Sequence, residues 1–538
     1  MYLDSDDIAQ AREAERTVRE SYDRVPYPSS SQHRTHPDHL ATLALLHGLE
    51  PAPPARCRVL ELGCADGGNL LPMAIETPES RFLGIDLSPR QIASGQAFAA
   101  ALGVANLELR AASILDVEAS WGLFDYVICH GVFSWVAPAI QEKILAVCRQ
   151  NLAPHGVAYV SYNTFPGWHL RRMVRDMVLY HTRGIDAPAE RTARAMELVR
   201  FLAESTWGEE DAHAIFLRSL REHFEEYRDR PSYLVHEYLE ETNAPLYFHE
   251  FAARAAGHGL QYLSEADPHL MEIGNLPAPV AERLRSFASE RIELEQYLDF
   301  VLNRTFRRTL LCHAGVPLDR AAPLASLRRL HAASAARSDS AAPDLRSGIG
   351  ESFRAERGTA FSTSHALAKA VLVVLAGVWP RALAFGELLA EAQGRLAAAG
   401  EGETGGEEVL ADLLDSLYWS GIVELHLLPP VCTETAGVFP HAAPLARRQA
   451  AAGVLVTSQR RKVLKLDDPV ARVLLAHLDG SRDRAALVRL LERDVREGRL
   501  DVAFEGAPLR DSERLPSVLA SLVEHHLRKL AEHALLVG

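Results

Sequence analysis

Between residues 58 and 163 five short apolar stretches, RVLEL, RFLGI, LELRA, FDYVIC and GVAYVSYN, recur along the chain. Amphipathic segments such as SPRQIASGQAFAAALG separate several of them. Strands that are apolar along most of their length belong to sheets covered on both faces. Joined by helical crossovers they predict an α/β fold, a Rossmann-like, doubly wound parallel sheet that binds ligands at the carboxyl ends of its strands.

The first strand runs into VLELGCADGGNLLPMA, a glycine-bearing turn that opens a helix, which is the layout of a cofactor-binding βα unit. Glu61 stands two residues before Gly63, and Asp86 closes the second strand nineteen residues after Gly67. A carboxylate at that strand end sits beside a cofactor ribose and can accept hydrogen bonds from both hydroxyls, which suits any adenosine cofactor. Within the turn, Ala65 replaces the usual second glycine, and Asp66 adds an anion. An anion there opposes a pyrophosphate but suits a cofactor with a cationic amino group and a sulfonium. That counts against a nicotinamide-dependent oxidoreductase, which would share the sheet and Asp86.

At 538 residues the chain exceeds one ordinary core, and a formal charge of −14 offers no footprint for a polyanion, so no nucleic-acid partner is expected. Cys57, Cys64, Cys129, Cys148, Cys312 and Cys432 form no C-x-x-C pair and read as buried thiols in a reducing compartment. His236-Glu237 and His249-Glu250 lack the H-E-x-x-H spacing of a metal site and read as surface or core residues, so no metal is expected. The N-terminus shows no apolar signal region, and the longest apolar run, 370–380, is far shorter than the roughly 20 residues of a bilayer span. A cytoplasmic protein without stable membrane insertion is the expectation.

The pattern divides into an N-terminal helix and lid segment (1–57), the sheet domain (58–182), a mostly helical region that could include late strands of the sheet (183–315), an Ala/Ser/Gly-rich linker (316–350) and a C-terminal region (351–538). In the last, two apolar blocks each offer a helix, a turn, a second helix, and a closing helix leading to a short strand. That order predicts a winged-helix-like α+β domain, single or duplicated, expected to recognise substrate.

With these residues in view, VLELGCADGGNL and LGIDLS resemble the first two motifs of class I S-adenosylmethionine-dependent methyltransferases. SYDRVPYPSSSQHRTHPDHLATLALLHGL, GVFSWV, SYNTFPGWH and EQYLDFVLNRTFRRTLLCH extend the resemblance to those bearing a methyltransferase regulatory domain, similar to bacterial outer-membrane-protein lysine methyltransferases. The resemblance implies S-adenosylmethionine as cofactor, with Glu61, Gly63, Ala65 and Gly67 around its methionine part and Asp86 and Leu87 at the ribose. It also implies Ser113, Ile114 and Asp116 beside the adenine, and His130 and Gly131 facing the sulfonium. A protein substrate modified on lysine is the implied acceptor, and a homodimer is compatible. Tyr162 and Asn163 are then expected to orient the attacking amine, with His130 also in a catalytic position. Phe133, Trp135, Phe165 and Trp168 are expected to line the acceptor's alkyl stem, and Tyr22, Tyr27 and His36 to form a lid. Small-molecule methylation, or a non-enzymatic regulator on the same scaffold, is the alternative.

Overall fold

The computed structural model describes residues 5–27, 29–205, 211–227, 231–319, 324–355, 359–402, 405–504 and 507–537. Residues 1–4 and 28 of the N-terminal segment and 320–323 of the expected linker lie outside these.

Seven strands form the central sheet: β1 (Arg58–Leu62), β2 (Arg81–Asp86), β3 (Leu107–Ala111), β4 (Phe124–Cys129), β5 (Leu152–Asn163), β6 (Leu260–Glu265) and β7 (Phe306–His313), in the order β3-β2-β1-β4-β5-β7-β6. β1 to β5 pair in parallel, whereas β7 runs antiparallel between β5 and β6. The last two strands fall within the mostly helical region 183–315.

Alternate residues of each strand enter different cores. Val59, Phe82, Tyr126 and Tyr159 face one core, and Leu60, Leu83, Val127 and Val160 the other. Six helices shape the site: α1 (Ser5–Arg24), α2 (Pro37–Leu46), α3 (Leu70–Glu76), α4 (Pro89–Ala101), α5 (Pro138–Gln150) and α6 (Trp168–His181). Nine of the ten residues of α2 are buried. It packs on β5 on one side, and on helix Leu324–Leu327 and strand Glu424–His426 on the other. Thr42 accepts the Leu427 N–H at 3.2 Å, and Asp38 the Leu428 N–H at 2.6 Å.

The expected linker is largely structured. His331–Ala333 is the middle strand of a three-stranded sheet with Leu383–Ala384 and Glu424–His426. The backbone near residue 346 is fixed by the buried Lys369, whose ammonium donates to the carbonyls of Asp344, Arg346 and Ile349 at 2.7, 2.7 and 2.8 Å. Composition suggested a tether; a buried cation seeking oxygens makes it a wall. Consequently the unit around helices Ala366–Val378, Phe385–Ala398 and Glu407–Trp419 shares a continuous apolar core with one face of the central sheet. Residues beyond 440 form a separate core of their own, with hairpin Leu455–Thr457/Val463–Lys465 and helices Pro469–His477, Arg484–Arg496 and Leu515–Glu532. Among the described residues the two C-terminal units differ in sheet layout, the first carrying two three-stranded sheets, each completed by a strand from residues 331–338, and the second two antiparallel strand pairs.

Candidate active site

At the carboxyl ends of β1, β2, β4 and β5 lies a cavity of about 500 Å³, a size typical of ligand sites. Gly63 begins the turn after β1 with φ +74°, and a Cβ there would lie 2.4 Å from Val132 Cγ2, so only glycine fits. Ala65 adopts φ +52° and donates its N–H to Asp86 Oδ2 at 2.9 Å; Asp86 Oδ1 accepts the Ser88 N–H at 2.9 Å. Asp86 is thus anchored by one backbone bond per oxygen and retains acceptor capacity on each, while burial raises its pKa against those two bonds.

Glu61 is almost fully buried. Its Oε1 accepts from Asn69 Nδ2 at 2.7 Å, while its Oε2 has no hydrogen-bond partner. Burial pushes its carboxyl up to about 7, the Asn69 bond opposing. Asn69 was passed over in the sequence, yet it joins three pieces. Its Oδ1 accepts the Gln32 N–H at 2.8 Å, and its amide also reaches Thr35 Oγ1 at 2.9 Å.

Glu61, Gly63, Ala65, Asp86, Leu87, Ile114, His130, Gly131, Trp135, Asn163, Trp168, Tyr22 and Tyr27 all line the cavity. The remaining expected site residues lie elsewhere. Gly67, φ +77°, packs beneath the turn against Leu109. Ser113 donates its hydroxyl to Glu15, and Asp116 pairs with Arg12 at 2.5 Å, so Glu15 of α1 takes the wall position expected of them. Tyr162 is buried with its ring 4.2 Å from that of Phe251 and its hydroxyl 3.0 Å from Thr309 Oγ1. β5 alternates its side chains, so Asn163 can face the cavity only if Tyr162 faces the core. Phe133 likewise packs edge-on against Phe251, and Phe165 stacks on His169 at 4.0 Å. His36 caps α2 from within, its Nδ1 accepting the Asp38 N–H at 3.0 Å.

His236 and Glu237, read from sequence as surface or core, also line the cavity, on a π-helical turn spanning Val235–Leu239. His236 bonds Glu240 at 2.7 Å and the Val25 carbonyl at 2.8 Å, and its ring lies 4.3 Å from that of Tyr22, tilted by 32°, joining α1 to this turn. His249 instead bonds Gln296 at 2.9 Å. Beyond Asn163 the wall becomes aromatic: Trp135 and Trp168 meet edge to face at 6.4 Å, and the Trp168 Nε1–H donates to Asn243 at 2.8 Å. Glu237 sits at this end, paired with Arg171 at 3.0 Å; burial raises its pKa against that pairing. Burial, with Arg308 and Arg34, pushes His130 down to about 3, so its ring is neutral. Among the described residues no helix is long and apolar enough to cross a membrane.

Three family models match in succession: a methyltransferase domain over residues 59–156, a predicted methyltransferase regulatory domain over 230–313, and the C-terminal winged helix domain of PKMT over 439–535. The regulatory model thus takes in β6 and β7. The chain is 32% identical over 530 residues to an uncharacterized protein of Rickettsia prowazekii (strain Madrid E), covering 96% of this chain and 93% of that one. A second protein of that organism is 40% identical over 240 residues, 45% of this chain and 95% of the relative. Among solved structures, PKMT2 from Rickettsia typhi in complex with AdoHcy superposes with a TM-score of 0.84 at 31% identity, covering 95% of this chain and 100% of that one.

Proposed function

Because the chain belongs to the S-adenosylmethionine-dependent methyltransferases that carry the methyltransferase regulatory and PKMT winged helix domains, we propose that its acceptor is the lysine amine of a protein, a surface or outer-membrane protein in the first instance. The cofactor is S-adenosylmethionine, and the residues present fit it. A buried carboxylate oxygen without a partner demands a cationic donor, and Glu61 Oε2 would take the amino group. Asp86 would hold the ribose hydroxyls, with Glu15 and Ile114 towards the adenine. The bound cofactor supplies a methyl group on a sulfonium whose leaving thioether is neutral.

The observation that carries the lysine reading is the aromatic end of the cavity. Trp135 and Trp168 offer flat apolar walls for an alkyl stem, and Glu237 offers an anion for an arriving ammonium. A lysine amine with an ordinary pKa of about 10.4 must shed its proton before attack. Desolvation between the indoles favours that loss, and the neutral His130 adds no charge beside the reacting centre. Asn163 lines the cavity, and its side-chain oxygen would accept an N–H of the amine and orient it. Alignment and exclusion of water then account for most of the acceleration. The relative called PKMT2, an abbreviation of protein lysine methyltransferase, supports the same acceptor.

The test is to incubate the protein with methyl-labelled S-adenosylmethionine and a surface-protein fraction of its host, and to read the label by mass spectrometry. Methyl-lysine is expected. Label confined to small molecules, or to other side chains, refutes the proposal.

A further inference from the structure

One turn of the C-terminal winged-helix domain reaches the segments that support the cofactor site. Hairpin strands Leu455–Thr457 and Val463–Lys465 are closed by residues 458–462, SQRRK. The turn is braced internally, Ser458 N–H donating to Lys462 O at 2.9 Å and Arg461 N–H to Ser458 O at 2.8 Å. Arg460 anchors it to the preceding unit, with its guanidinium 4.2 Å from the Trp379 ring centroid and a bond of 2.7 Å to the Pro380 carbonyl.

Arg461 points the other way and is buried. Its Nε donates to Glu76 Oε2 at 3.0 Å, its Nη2 to Glu76 Oε1 and its Nη1 to Asp38 Oδ2, both at 2.5 Å. Its carbonyl accepts the Ser31 hydroxyl at 3.1 Å. Burial works against ionised carboxyls here, yet Arg461 holds Glu76 down to about 2 and Asp38 well below the ordinary range. Each partner sits on a segment that leads to the cavity wall, without lining the cavity itself. Ser31 lies between Ser30 and Gln32, both on the cavity wall. Asp38 lies in the first turn of α2, which follows that segment. Glu76 ends α3, the helix whose cap Asn69 holds both Gln32 and Glu61.

We infer that Arg461 is a positioning residue for S-adenosylmethionine binding, clamping residues 29–38 onto the glycine turn so that the winged-helix domain is a working part of the cofactor site. The segment is seated closely: a Cβ on Gly68 would stand 2.7 Å from the Ser29 carbonyl oxygen. If the segment lifts, the Gln32 bond to Asn69 goes with it, and Asn69 no longer fixes Glu61. A fork gripping two carboxylates suits this task better than a lysine's point charge.

Binding of S-adenosylhomocysteine to the full-length protein, measured by calorimetry, tests the clamp without reference to turnover. Arg461→Met should weaken binding at least tenfold and speed amide exchange of residues 29–36 in the ligand-free protein, leaving exchange in the central sheet unchanged. At saturating cofactor its kcat should be kept while the cofactor KM rises. Ser31→Ala should weaken binding three- to fivefold. Arg460→Met, which loosens the same turn from its other anchor, should stay within twofold of the parent. A dissociation constant within twofold of the parent in Arg461→Met, or an equal loss in Arg460→Met, overturns the inference. Should Arg461→Met fail to fold, Ser31→Ala decides: unchanged affinity with unchanged exchange of residues 29–36 overturns it.

Discussion

Ionisation of Glu61 should govern how cofactor binding depends on pH. Burial holds its carboxyl up at about 7, opposed by Asn69 and assisted by Asp86. Its pKa is raised in the fold, so the ligand-free protein is stabilised by protonation, fully below the unfolded value and progressively less as pH rises through about 7. The interval between about 7 and the ordinary 4.5 corresponds to about 3 kcal/mol of strain in the ligand-free protein above neutrality. An ammonium on Glu61 Oε2 relieves it, and only the ionised carboxylate can form that pair. At pH 6 about one Glu61 in eleven is ionised, against about ten in eleven at pH 8, so the dissociation constant of S-adenosylhomocysteine should rise about tenfold, roughly 1.4 kcal/mol, on going from pH 8 to pH 6. His130, pushed down to about 3, stays neutral throughout this range and adds nothing to the slope. Calorimetry at pH 6, 7 and 8 on the parent and on Glu61→Gln separates this group from Asp86 and Glu237. The variant should bind weakly with little pH dependence. A parent affinity constant within twofold between pH 6 and 8, or the same slope in Glu61→Gln, would refute the reasoning.

Two further outcomes follow from the same geometry. Gly63→Ala must place a methyl 2.4 Å from Val132 in a left-handed conformation, at a cost of about 2–4 kcal/mol; a thermal midpoint several degrees lower with cofactor binding abolished is expected, and an unchanged midpoint would show that the turn yields. A chain ending at Pro343 loses the helices that share the core around α2 and should aggregate or lose helicity by gel filtration and circular dichroism; a monodisperse fragment binding S-adenosylhomocysteine like the full chain would contradict the joint core.

The parts of the site that a sequence can show are those made by one continuous stretch. Glu61, Gly63 and Asp86 are each placed by a strand running into its own turn, so their neighbours along the chain announce their position. Tyr162 and Asn163 were assigned together although adjacent strand residues face opposite ways, and the alternation itself separates them. Glu15 needed the helical spacing of Glu15, Val18 and Tyr22 to be read as one wall of a cavity whose other walls lie far along the chain. His236 and Glu237 matched no motif because a π-helical turn, rather than any ligand spacing, aims them inward. The linker misled for a related reason. Alanine and serine carry no pattern of their own, and the strand at His331–Ala333 exists only because strands fifty and ninety residues further on pair with it.

The helix α2 has consequences for anyone who infers importance from mutational tolerance. It touches the central sheet on one side and the C-terminal unit on the other, and only His39 among its ten residues retains appreciable exposure. A helix without a solvent face has no positions at which substitution is cheap, since each change either opens a void or crowds a neighbour. A saturation scan of residues 37–46 would therefore return a block as intolerant as the glycine turn, in a stretch that handles no substrate atom. Leu40, Leu43 and Leu46 would look catalytic by that measure while serving only to join the sheet to the C-terminal unit within one core.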